Sequence, residues 1–126
     1  MDLLLDTHVF LWWDAGARHL NDAAAAAIAD AENSVFVSAA SIWEIAIKRQ
    51  LGRLSFTGSP TAAIARNGFL PLPILPLHAE QAAALPALHA DPFDRMLVGQ
   101  AQHASLTIVT ADSRVAAYAV PRLWAA

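Results

Sequence analysis

Four acidic side chains stand where an alternating strand–helix chain concentrates its chemistry. Asp6 closes the apolar run Leu3-Leu4-Leu5, and Glu44 falls in the first turn of the helix expected after Val35-Phe36-Val37. Asp94 falls in the first turn of a helix entered through Asp91-Pro92, and Asp112 follows Leu106–Val109 after Thr110-Ala111. In a parallel sheet the strand-following residues point into one edge, so three of these acids share it and Asp94 joins them. Four carboxylates in one pocket repel and raise one another's pKa unless a cation neutralises them. Oxygen donors without cysteine suit a hard cation, Mg²⁺ or Mn²⁺. Such an ion lowers the pKa of a bound water and stabilises in-line attack on a phosphodiester. Each acid also has an ordinary reading. Glu44 completes a capping box with Ser41, and Asp91, Asp94 and Asp112 suit caps or the helix dipole. Asp6 has no helix end that obviously needs it.

The elements that must position these acids read as strands alternating with helices. Leu3–Leu5, Val35–Val37 and Leu106–Val109 read as buried strands, with one further short edge strand within the proline-punctuated Phe69–Leu77. Helices are expected over Asp22–Ala31 with Asn21 as N-cap, from Ser41 to Gly52, from Pro60 to Asn67-Gly68, and from His78 to Leu88. Two more run from Asp91-Pro92 to about Ala104 and from Asp112 onward. This alternation predicts an α/β layer structure with a mainly parallel sheet, whose functional crevice lies at the carboxyl ends of the strands. No repeat or linker interrupts the 126 residues, so residues 1–126 are expected to form one domain.

Composition narrows the field. With 8 basic and 11 acidic residues the net charge is −3, which excludes a broad basic footprint of the kind that wraps duplex DNA. Setting four of the eleven acids aside as a metal pocket leaves seven acids against eight bases, so the charge does not argue against a nucleic-acid substrate. A hydrophobic fraction of 56% against 15% charged excludes disorder and leaves an apolar surplus for a core or a protein interface. There is no cysteine, which removes disulfides, thiolate nucleophiles and cysteine-bound zinc, and fits a cytoplasmic protein. Neither a signal peptide nor a membrane span is expected, because Asp2 and Asp6 bracket the first apolar run and prolines or polar residues break the others.

Asp6-Thr7-His8, Ser41-Ile42-Trp43-Glu44-Ile45-Ala46-Ile47-Lys48, Asp91-Pro92-Phe93-Asp94-Arg95-Met96-Leu97-Val98 and Leu106-Thr107-Ile108-Val109-Thr110-Ala111-Asp112 occur in that order. They resemble the successive motifs of PIN-domain ribonucleases, and most of all the VapC toxins of bacterial type II toxin–antitoxin systems. The resemblance runs through essentially the whole chain. It implies a three-layer α/β fold with a central mainly parallel sheet flanked by helices, dependence on Mg²⁺ or Mn²⁺, a homodimer, and inhibition by a VapB-like antitoxin. By resemblance Asp6, Glu44, Asp94 and Asp112 match the metal-binding and catalytic acids. Asp91 is an adjacent acid that would help position metal or water, and Thr110 matches a small hydroxyl residue near the metal. The activity implied is metal-dependent endonucleolytic cleavage of RNA.

Other side chains carry weaker signals. Arg95 and Arg114 each follow a site acid and could hold substrate phosphates or simply be surface arginines. His8 and His89 invite a zinc reading, but the remaining histidines lack metal-site spacing, so packing or hydrogen bonding is expected of them. Lys48, four residues after Glu44, suits an ordinary helical ion pair. Trp12 and Trp13 point about 100° apart on a helix, one inward and one toward an interface; Trp43 and Trp124 are expected in the core. The loop Gly52–Ser59, with Arg53 and Phe56, is a candidate partner contact. Two rival functions remain: a Mg²⁺ phosphatase with an aspartyl nucleophile, and a non-catalytic dimeric interaction protein whose acids are caps. Asp6-Thr7-His8 lacks the second aspartate such phosphatases usually show, and Lys48, the only lysine, lies mid-helix.

Overall fold

Alternate residues of the first strand face opposite sides, and this period of two sets the layers. In the computed structural model, which describes residues 1–126, Leu3 and Leu5 pack into one apolar cluster and Leu4 into another. The strand is β1 (Asp2–Leu5), followed by α1 (Thr7–Asp14), α2 (Asp22–Ala29), β2 (Ser34–Ser38), α3 (Ala39–Gln50) and α4 (Pro60–Arg66). Then come β3 (Leu70–Leu72), α5 (Pro76–Ala84), α6 (Pro92–Ala104), β4 (Thr107–Thr110), α7 (Ser113–Ala116) and β5 (Arg122–Trp124). All pairings are parallel, in the order β3-β2-β1-β4-β5. One face is covered by Val9 and Phe10 of α1, Ala24 and Ile28 of α2, and Ala63 and Ile64 of α4. The other is covered by Leu97, Val98 and Ala101 of α6 and by Val115, Tyr118 and Val120 near the carboxyl end. The molecule is therefore a three-layer α/β sandwich around an all-parallel sheet, as expected. No helix is long and apolar enough to cross a membrane.

Several boundaries differ from the sequence reading. Helix α3 starts at Ala39, capped by the Ser38 hydroxyl, which accepts from the Ala40 amide, so Ser41 does not open it. Helix α2 stops two residues short of Ala31, and α5 starts two residues before His78, with Pro76 in its first turn. The N-terminal turn of α5 closes through the His78 ring, whose Nδ1 accepts from the Leu75 amide. Strand β5 was not expected; three residues carry too little periodicity to announce themselves. Edge strand β3 tolerates Pro71 because no strand lies on its outer side. Helices α5 and α6 meet at Gly99, where an added Cβ would lie 2.9 Å from the Ala82 nitrogen, and only glycine permits that approach.

Candidate functional site

Strands β1 and β4 are neighbours although the chain leaves β1 in one direction across the sheet and returns on the other. Such a reversal opens a crevice at the carboxyl ends of the two strands. Asp6 follows β1 there, and Thr110 ends β4. The Thr110 hydroxyl donates to Asp6 Oδ2 at 2.6 Å and accepts from the Asp112 amide at 3.0 Å. Asp6 Oδ1 accepts from the Val9 amide at 2.8 Å, so Asp6 is the N-cap of α1. The expectation that no helix end needs Asp6 is thus corrected: the helix begins one residue after it.

Glu44 lies in the second turn of α3 and is buried. Lys48 Nζ donates to its Oε2, the expected i, i+4 pair, whereas Oε1 is buried with no hydrogen-bond partner. Asp94 sits in the first turn of α6, whose N-cap is Asp91; Asp91 Oδ1 accepts from the Phe93 and Asp94 amides. Asp112 is the N-cap of α7, its Oδ1 accepting from the Arg114 amide.

The electrostatics tie these acids together. Burial pushes the Asp94 carboxyl up to about 6, and the charges of Asp91, Asp6 and Glu44 push the same way against a hydrogen bond from His89. Burial also raises Asp6, with a smaller push from Asp112, against hydrogen bonds from Thr110 and Val9. Asp112 is the exception. Partial burial raises it, but hydrogen bonds from the Arg114 amide and side chain, with the charges of Arg114 and His89, bring it below the usual carboxylate range. Asp6, Glu44, Asp91, Asp94 and Asp112 are therefore all in electrostatic reach of a common centre.

A side chain the sequence reading set aside also belongs here. His89 Nε2 lies 2.8 Å from Asp94 Oδ2 and 3.6 Å from Asp112 Oδ2, and ligand atoms of these three residues lie within 4.8 Å of one another. Its signal in the sequence was only nearness to the acidic motif. His8 instead lies beside Trp12, the two rings tilted with centroids 6.4 Å apart. Arg95 holds no open position for a phosphate: it donates to the carbonyls of Ala82, Leu85, Pro86 and His89 and to the Tyr118 hydroxyl. Arg114 is exposed and paired with Asp112. Trp43 and Trp124, expected in the core, are 62% and 43% exposed, and Trp43 packs edge-on against Phe93. Trp13 packs against the core at Phe69, while Trp12 faces His19.

A metal ion fits this set. An orphaned, buried Glu44 oxygen and mutually repelling acids are what a hard divalent cation relieves, and the donors are predominantly oxygen. Beside Glu44 and Thr7 opens a cavity of ≈ 740 Å³ that carries Lys48, Arg53 and Arg66 and is backed by Phe56, from the loop between α3 and α4.

Comparison with known proteins agrees with the architecture. The family model described as PIN domain matches residues 3–121. Ribonuclease VapC22 of Mycobacterium tuberculosis (strain ATCC 25618 / H37Rv) is 32% identical over 128 residues, covering 95% of this chain and 94% of that protein. Two solved structures have the same fold. One is VapBC2 from Rickettsia felis bound to a DNA fragment from their promoter (TM-score 0.72, 11% identity, 100% of both chains). The other is a toxin–antitoxin complex from Klebsiella pneumoniae (TM-score 0.67, 18% identity, 97% of this chain and 96% of that one).

Proposed function

Because the chain belongs to the PIN domain family, we propose that it is a Mg²⁺-dependent endoribonuclease of the VapC type, the toxin of a toxin–antitoxin pair. Asp6, Glu44, Asp94 and Asp112 hold the cation, with Mn²⁺ an acceptable substitute. The observation that carries this reading is Glu44 Oε1, buried without a partner among acids that push one another's pKa upward. When bound, the cation supplies a water of lowered pKa and offsets the charge that builds on the phosphodiester. The chain's own residues do the positioning. Thr110 and the Val9 amide fix both oxygens of Asp6, and Lys48 holds Glu44 Oε2, leaving Oε1 free. Asp91 caps α6 and so fixes the turn that presents Asp94. Of the cations lining the cavity beside Glu44, Lys48 pairs with Glu44 and Arg66 with Asp14, which leaves Arg53 to favour a phosphate there.

The protein works in the cytoplasm, as a homodimer held in check by a VapB-like antitoxin. Exposed Trp43, Leu51, Leu70, Leu75 and Leu77 support protein association, and structural neighbours described as VapBC2 and as a toxin–antitoxin complex support the kind of partner. Incubation with structured RNA and Mg²⁺ or Mn²⁺, followed by mapping of the ends, tests the activity. The parent should cut, and Asp6→Asn, whose amide oxygen can still cap α1, should cut about a hundredfold more slowly or worse. Absence of cleavage with either cation, or full activity in Asp6→Asn, would overturn the reading.

A further inference from the structure

The turn between α5 and α6 is held far more firmly than a surface connection requires. The Arg95 guanidinium donates to five carbonyls of residues 82–89, and the Tyr118 hydroxyl donates to the Pro86 carbonyl at 2.8 Å and accepts from the His89 amide at 3.0 Å. What this clamp fixes in place is one buried ring, that of His89. The ring looks at the site with Nε2 and away from it with Nδ1. Nδ1 faces the Asp91 amide at 3.4 Å, a group that can only donate; Nε2 faces the carboxylates of Asp94 and Asp112, which accept. Both ends therefore select the tautomer with the proton on Nε2. A nitrogen that carries a proton has no lone pair for a metal. His89, Asp94 and Asp112 are grouped closely enough to be read as a mixed ligand set, but the amide behind the ring opposes that.

We propose that His89 is a positioning residue: its Nε2–H, held by the Arg95–Tyr118 clamp, orients the Asp94 carboxylate and steadies Asp112, and the ring stays outside the coordination shell. The inference rests on the metal role given above to Asp94 and Asp112. Hydrogen-bonded partners of ligating groups set the orientation and basicity of those groups, and losing one costs about 10–100-fold in metal affinity. The ring would also leave the inner shell all oxygen, which suits Mg²⁺ and Mn²⁺ over zinc.

Calorimetric titration of Mn²⁺ into the parent, His89→Leu and His89→Gln tests this, with a thermal melt of each metal-free protein and a pulsed EPR spectrum of the Mn²⁺-loaded parent. His89→Leu should bind Mn²⁺ about 10–100-fold more weakly, while His89→Gln, which keeps an N–H donor at the same reach, should recover most of the affinity. The spectrum should show no directly bound nitrogen. Unchanged affinity in His89→Leu, or a nitrogen coupling in the parent, overturns the proposal. If His89→Leu does not melt cooperatively, His89→Gln and the spectrum decide: an affinity loss in His89→Gln as large as about tenfold counts against it. A parent that binds no Mn²⁺ overturns the metal reading beneath it instead.

Discussion

Asp94 holds its proton some two pH units later than an isolated aspartate, and that has a measurable consequence. Its folded-state value is about 6 against 3.8, so between pH 4 and 6 the native protein keeps a proton that the unfolded chain has released. Stability contributed by this group therefore falls as pH rises through that window and stays low above it, by an amount on the order of 3 kcal/mol. Urea unfolding of the metal-free parent and of Asp94→Asn, compared from pH 4 to 7, should show the difference between them narrowing or reversing against the parent as pH rises. Parallel curves would exclude the effect. His78 acts with opposite sign: burial, aided by the charge of His103, lowers its pKa, so acidification below 6.5 costs stability in both proteins and cancels in the comparison. The acids themselves were legible because an aspartate after an apolar run is written in the sequence. Asp6 as a cap was not, since Val9 at the third position of α1 offers no Glu or Gln to complete a capping box. His89 and Arg95 were not either. The partners of Arg95 are mostly backbone carbonyls, which have no letter in the sequence, and those of the His89 ring are carboxylates that only the fold brings beside it.

Helix α3 shows how a motif can be right in chemistry and wrong in register. Ser41 and Glu44 satisfy the spacing of a capping box, but β2 delivers the chain to Ser38, and the helix starts there. The Ser38 hydroxyl does two jobs, accepting from the Ala40 amide and donating to buried Gln100 Oε1 at 2.6 Å, whereas Ser41 accepts from the Thr7 hydroxyl. Ser38→Ala should thus lose a cap and leave a buried amide oxygen unpaired, a cost of about 2–3 kcal/mol in a denaturant titration. A loss under about 0.5 kcal/mol would return the cap to another group. Long elements with caps, such as α6 between Asp91 and Ser105, were readable to within a residue or so. Short ones, such as β5, exist because a neighbouring strand offers its edge, and that is a property of the assembled sheet.

At the scale of the whole molecule, the alternation of apolar runs with helical segments predicted the layers, while the strand order had to come from three dimensions. Clustered acids make the metal-free protein less stable than its core allows. Binding of Mn²⁺ at a hundred times its Kd should stabilise it by about 2.7 kcal/mol, a rise of roughly 10 °C in Tm for a domain of this size. A double variant, Asp6→Asn with Asp94→Asn, which removes the two acids whose pKa is raised, should melt higher than the parent at pH 7 without metal and not respond to Mn²⁺. Differential scanning calorimetry reads both effects, and a parent indifferent to the ion would remove the clustering argument. The central pairing of β1 with β4 carries a consequence in time. Asp6 and Thr110 stand 104 residues apart in the chain yet share a hydrogen bond. A polypeptide emerging from the ribosome can bring Asp6 and Glu44 together through the β1–β2 pairing, but Thr110 and Asp112 arrive only with β4 and the turn after it, among the last segments to be made. The four acids can therefore meet only once nearly the whole chain has been made.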